Sequence, residues 1–193
     1  MSERGVAGLK AELERFHWQR QRELREDWNR SLPFGDGIVD RWERARFLGF
    51  GDGTSIYDSC VIIGDVTVGR QTWIGPFTVL DGSGGLVIGS FCSISAGVQI
   101  YSHDSVKWAV SSGQAEYERA PVSIGDSTYL GPMTIVGKGI RIGRHCVIGA
   151  NSIVNKNIDD YSIAYGSTCR VVGRVEVKDG HVDLIYDAPG SSE

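Results

Sequence analysis

One histidine stands where the rhythm of this 193-residue chain breaks. The segment Ile100-Tyr101-Ser102-His103-Asp104-Ser105 opens an insertion that runs through Lys107, Trp108, Glu116 and Tyr117 to Pro121. Imidazole has an ordinary pKa near 6.5, so at neutral pH it can take a proton from a hydroxyl and pass it on. Asp104 places a carboxylate next to it in sequence, and Trp108 and Tyr117 are aromatics suited to stacking on sugar rings. Taking up and releasing a proton at neutral pH is the chemistry this set fits.

The elements around the insertion repeat every six residues. Ile56, Ile62, Val68, Ile74 and Leu80 form one run, Ile88, Ile94 and Ile100 a second, and Ile124, Leu130, Val136, Ile142, Ile148 and Val154 a third. Six is neither the helical 3.6 nor simple alternation, and points to a repeat architecture, a parallel β-helix of hexapeptide repeats. Three hexads make one triangular turn, so the fourteen hexads predict between four and five turns. At about 4.8 Å between stacked strands, the prism is roughly 20–25 Å tall. The aliphatic residues point inward, and glycines such as Gly125, Gly131, Gly137, Gly143 and Gly149 let the chain turn between flat sides. Two interruptions break the step. Asp81-Gly82-Ser83-Gly84-Gly85 fills a gap of eight between Leu80 and Ile88; it lacks the GxxxxGK[ST] phosphate-loop pattern and absorbs a register slip. The gap of 24 between Ile100 and Ile124 holds the histidine insertion, and a loop of about twenty residues leaving a compact coil is usually functional or disordered.

The chain divides into an N-terminal helical segment over 1–50, the coil over 51–169 with the loop 101–123 extruded, and a C-terminal hairpin and tail over 170–193. An amphipathic helix is expected from residue 6 to about 31, with Leu9, Leu13, Phe16, Leu24 and Trp28 packed on the coil and Pro33 ending it. A second helix is expected over Gly37 to Leu48, capped by Asp36 and ended by Gly49. Both ends of the coil need covers, which these helices and the C-terminal segment supply. Asp179-Gly180 between alternating runs predicts a hairpin, and residues 187–193 read as a frayed tail.

Twenty basic against 24 acidic residues, net −4, exclude the basic excess of a nucleic-acid binder. No apolar stretch is long enough to span a bilayer, and Met1 to Lys10 lacks a signal-peptide core, so a soluble cytoplasmic protein is expected. Cys60, Cys92 and Cys146 take the fifth place of a hexad, elsewhere Thr or Ser, and together with Cys169 read as reduced, structural thiols. His145 reads as a surface residue, and His17 and His181 lie outside the coil.

On the histidine loop after an "IG" hexad and the ending "IGANSIVNKNIDDYSIAYGSTCRVVG", residues 56 to about 174 resemble the hexapeptide-repeat acyltransferases, especially the galactoside, maltose and xenobiotic O-acetyltransferase group. The resemblance implies a left-handed parallel β-helix, against the usual right-handed crossover rule. It also implies acetyl-CoA as co-substrate, no metal, and a homotrimer with active sites between subunits. On matched positions His103 is the general base, and Glu116 and Asp81 are acidic positions able to orient it. Gly131 and Ala150 line the coenzyme arm, Asn155 and Lys156 lie beyond it, and Arg170 meets the phosphates. The Gly131 amide is a candidate oxyanion donor. Two departures stand out. Gly75 replaces an asparagine on the substrate side, which argues against a simple galactoside or maltose acceptor, and Tyr129 replaces a tryptophan beside the histidine.

These features predict O-acetylation of a sugar hydroxyl, in a surface polysaccharide or lipid-linked glycan, with Trp108 and Tyr117 on the acceptor. N-acetylation of a nucleotide-linked amino sugar uses the same coil and coenzyme. A non-catalytic scaffold is a third reading. A zinc centre of the γ-carbonic-anhydrase kind needs three converging histidines, and only His103 and His145 lie in the coil.

Overall fold

A computed structural model of the chain describes residues 3–187; the end of the expected tail, 188–193, lies outside the described residues. The hexad residues sort into three stacked columns, each joined by parallel pairing. Ile56, Ile74, Ile94, Leu130 and Ile148 form the first. Ile62, Leu80, Ile100, Val136 and Val154 form the second. Val68, Ile88, Ile124, Ile142 and Ile158 form the third. The chain is therefore a three-sided parallel β-helix, as the six-residue period requires. Every column residue except the half-buried Ile62 is buried, and the columns make one continuous core.

Side-chain chemistry at the other hexad places holds the turns apart at a fixed spacing. Hydroxyls and thiols at the fifth place donate to carbonyls of the neighbouring turn: Thr72 to Gly89, Thr128 to Gly143, Cys60 to Gly75 and Cys146 to Asp159. Burial pushes all four thiols up, so they are packing groups rather than thiolates. The glycine after each aliphatic residue acts differently from the expectation. The positive φ angles at the turns belong to Ser127, Met133, His145 and Asn151, two residues later. Gly131 is needed for close approach instead: a Cβ there would lie 2.5 Å from the Ala150 amide nitrogen of the next turn.

The N-terminal segment departs from the sequence reading. The first helix, α1, spans Glu3–Trp28 and stops short of Pro33, with Asn29 at φ 51°. The single helix expected over Gly37 to Leu48 is two, α2 (Phe34–Ile38) and α3 (Arg41–Phe47), because Val39 is extended between them. The cap is Asp40, which accepts from the Trp42 and Glu43 amides, whereas Asp36 is buried and accepts from the Ser59 amide. α3 covers the first turn, with Ala45 in the core and Arg44 donating to the Tyr57 and Cys60 carbonyls. α1 does not pack on the coil: it lies on α2 through its C-terminal half, and Leu9, Leu13, Phe16 and Trp28 are exposed. At the other end, Arg170–Lys178 and His181–Tyr186 form an antiparallel hairpin that extends the first side. Asp179 at φ 50° and Gly180 at φ 80° supply the two left-handed residues such a turn demands.

Candidate active site

The site lies on the corner between the second and third sides. Strand Val79–Ile88 runs round that corner unbroken, carrying Asp81 to Gly85 with it, and pairs with Val61–Val68 below. One turn above, Gln99–Tyr101 pairs with it so that Asp81 faces Tyr101. The insertion leaves the coil here. His103–Asp104 pairs antiparallel with Glu118–Arg119, and a short helix, α4 (Val106–Val110), lies between. The base is closed by the Ala120 amide donating to the Ser102 carbonyl, 2.9 Å away. The ladder itself passes the insertion undisturbed, since Ile88 pairs directly with Ile124.

Asp81 is fully buried and its Oδ2 contacts His103 Nδ1. Its other bonds come from the Ser83 amide and hydroxyl and the Ser102 amide. Burial opposes the charge, but the hydrogen bonds from Ser83 and His103 outweigh it and hold the carboxyl below the usual carboxylate range. An ionised Asp81 can only accept, so the ring donates Nδ1–H and keeps the Nε2 lone pair. Nε2 has no hydrogen-bond partner among the described residues, and the side chain is 29% exposed. Tyr117 lies face to face with the imidazole at 6.3 Å and 23°, and Trp108 meets Tyr117 edge-on at 5.7 Å. A polarised imidazole therefore opens onto an aromatic shelf.

Of the three carboxylates near His103 in sequence or pattern, the fold selects Asp81. Glu116 is exposed and makes no hydrogen bond or ion pair among the described residues. Asp104 turns instead to Lys138. Glu118, which the sequence did not single out, also binds Lys138, at 2.9 Å, and Lys107. A composition-level reading has no signal for Lys138, because only the register places it one turn above the loop base.

The matched coenzyme positions, with the substrate-side Gly75, fall in three places. Asn155 and Lys156 lie on the His103 corner, Lys156 one turn beyond Lys138, which puts it about 10 Å from the loop base along the axis. Gly131, Ala150 and Gly75 lie on the corner between the first and second sides. Gly75 is buried, and a Cβ there would come within 2.7 Å of the Ala96 amide, so a larger residue does not fit without a backbone shift. Tyr129 and Arg170 belong to the first side, which a triangular coil sets opposite the His103 corner. Tyr129 is exposed there, and the ring beside His103 is Tyr117.

The site is thus a three-sided hexapeptide coil with a buried carboxylate behind an open imidazole. Comparison with known proteins agrees. Residues 121–156 match the family described as bacterial transferase hexapeptide (six repeats). The chain carries this repeat, and its sequence relatives are acetyltransferases. Over 61 residues it is 38% identical to the galactoside O-acetyltransferase of Escherichia coli, a match covering 32% of this chain and 30% of that protein. The chain thus spans about a third of the length of that relative. A solved galactoside acetyltransferase in complex with coenzyme A shares the fold, with a TM-score of 0.62 and 22% identity over 84% of this chain and 82% of the other. AntD, an N-acyltransferase from Bacillus cereus solved in complex with dTDP and 3-hydroxybutyryl-CoA, aligns with a TM-score of 0.58 and 25% identity, covering 65% of this chain and 71% of the other.

Proposed function

We propose that this chain is an acetyl-CoA-dependent O-acetyltransferase acting on a sugar hydroxyl of a surface polysaccharide or glycan precursor, with His103 as general base. The observation that carries the reading is the His103–Asp81 pair at the break in the coil, with Nε2 left open beside Tyr117 and Trp108. As the acceptor oxygen bonds to the acyl carbon, its proton passes to Nε2. When the carbon–sulfur bond breaks, the same proton goes to the leaving thiolate. Asp81 holds the ring in the tautomer that can do this and stabilises the imidazolium while it lasts.

Lys156 and Arg170 are the proposed phosphate-binding cations and Asn155, Gly131 and Ala150 the arm contacts, with Tyr129 alongside. Tyr129 and Arg170 face away from the His103 corner of their own chain, which supports a homotrimer in which a neighbour completes the coenzyme groove. Acetyl-CoA as the donor supports a cytoplasmic location; no helix among the described residues is long and apolar enough to cross a membrane.

The test is acetyl-CoA turnover by wild type and His103→Ala across a panel of glycans, free sugars and amino sugars. His103→Ala should lose about 10²–10⁴-fold in turnover and still bind coenzyme. An unchanged rate removes His103 from the mechanism. The likeness to AntD favours a second reading, N-acylation of a nucleotide-linked amino sugar. Transfer confined to amine acceptors in the panel would select it. Absence of turnover and of any thermal shift with coenzyme A would select a scaffold.

A further inference from the structure

Lys138 lies on the coil one turn above the root of the insertion and forms ion pairs with both strands of the loop base. Its ammonium contacts Asp104 on one strand of the loop base and Glu118 on the other, the latter at 2.9 Å. Those strands are the pair that carries His103, whose register partner is Arg119. The loop end is seated on the same stretch of coil: the Gly139 amide donates to the Ala120 carbonyl at 3.2 Å. One cation therefore ties both arms of the insertion to the turn above it.

The groups around the imidazole define its electrostatics. Asp81 meets Nδ1 from the coil below, with Tyr101 beside it on the strand leading into the loop. Asp104 follows on its own strand, and Arg119 and Glu118 lie on the opposing strand. Tyr117 lies roughly parallel to the ring with 6.3 Å between centroids, and Glu116, next to it in sequence, is exposed. Lys107 from α4 reaches Glu118. Without Lys138, Glu118 keeps Lys107, whereas Asp104 loses its ion-pair partner while remaining adjacent to His103. An unneutralised carboxylate beside imidazole favours the protonated ring, and a protonated ring is no base.

We propose that Lys138 is a positioning residue for the reaction, clamping the His103 strand in register with Asp81 and cancelling Asp104 and Glu118 so that the ring stays available as a base. This rests on the acyl-transfer reading above. Consistent with the geometry, Lys138 is pushed up by Asp104 and Glu118, and both carboxylates are held down by their lysines.

The experiment compares wild type, Lys138→Met and Lys138→Arg. With the responding acceptor, Lys138→Met should lose roughly ten- to a hundredfold in kcat. Its KM for acetyl-CoA should stay within about twofold, and the acid limb of kcat/KM should move up by about half a pH unit or more. Lys138→Arg should restore most of the rate and the wild-type profile. An NMR titration of the His103 ring, assigned against His103→Ala, reads the same effect without turnover. Its midpoint should move up in Lys138→Met alone. An unmoved midpoint, or a loss of rate equal at every pH, overturns the proposal. No turnover by wild type on any acceptor, with the midpoint still moved up in Lys138→Met, sinks the acyl-transfer reading while supporting Lys138 as the group that neutralises the carboxylates beside the ring.

Discussion

At the scale of residues, Asp81 and His103 are 22 positions apart and become neighbours only because the coil stacks one turn on the next. That is why the sequence alone left Asp81, Glu116 and Asp104 as competitors for the ring. Side-chain types made all three plausible, and only the register between strands Val79–Ile88 and Gln99–Tyr101 separates them. The histidine itself was legible, since it marks the largest break in a six-residue period. Asp81→Asn keeps the shape but can donate to Nδ1, so the ring is free to present Nε2–H instead of a lone pair; kcat should fall on the order of 10²-fold or more, read as steady-state turnover at neutral pH. The charge also bears on stability. Because folding holds this carboxyl below its unfolded value, its contribution is complete above the ordinary carboxylate range and is lost as pH falls through the folded value. Chemical denaturation of wild type and Asp81→Asn should therefore differ at pH 7 and converge below about pH 4.

At the scale of elements, the aliphatic period announced the coil and its sides, but misassigned what the glycines do. Where Cβ space is the constraint, the effect of a substitution depends on what lies above it. A Cβ on Gly84 would collide with the Ser102 carbonyl and lie 2.9 Å from the Ala120 amide, the two groups that close the loop base. Gly85, at φ +93°, has only the Pro121 ring within reach, at 3.7 Å. Gly84→Ala should therefore cost about 1–3 kcal/mol and most of the turnover. Gly85→Ala should cost about 1–2 kcal/mol in backbone strain and leave turnover nearer wild type. Thermal melts with parallel rate measurements distinguish them. The helical segment was less legible: Asp36 and Asp40 look alike as caps, and the apolar stripe of α1 gives no hint that its N-terminal half extends past any surface of this chain.

At the scale of the whole molecule, the matched positions are spread over the His103 corner, the corner between the first and second sides, and the first side itself. If neighbouring chains complete the groove, His103→Ala and Arg170→Ala each disable a different half of every site. Mixing the two variants under conditions that exchange subunits should recover a fraction of wild-type turnover that neither shows alone. No recovery, with mixed oligomers verified by mass, would put the whole groove on one chain. Such a division cannot be read from a repeat, because periodicity fixes height and side but carries no information about neighbours.

The undisturbed pairing of Ile88 with Ile124 has a consequence for how such a protein changes over time. Since the coil closes beneath the insertion as though nothing had been spliced in, the stretch holding Trp108 and Tyr117 is free to drift in length and composition while the frame persists. On the proposed reading, acceptor preference would then be a detachable trait, exchanged on a handle whose two arms Lys138 joins through Asp104 and Glu118.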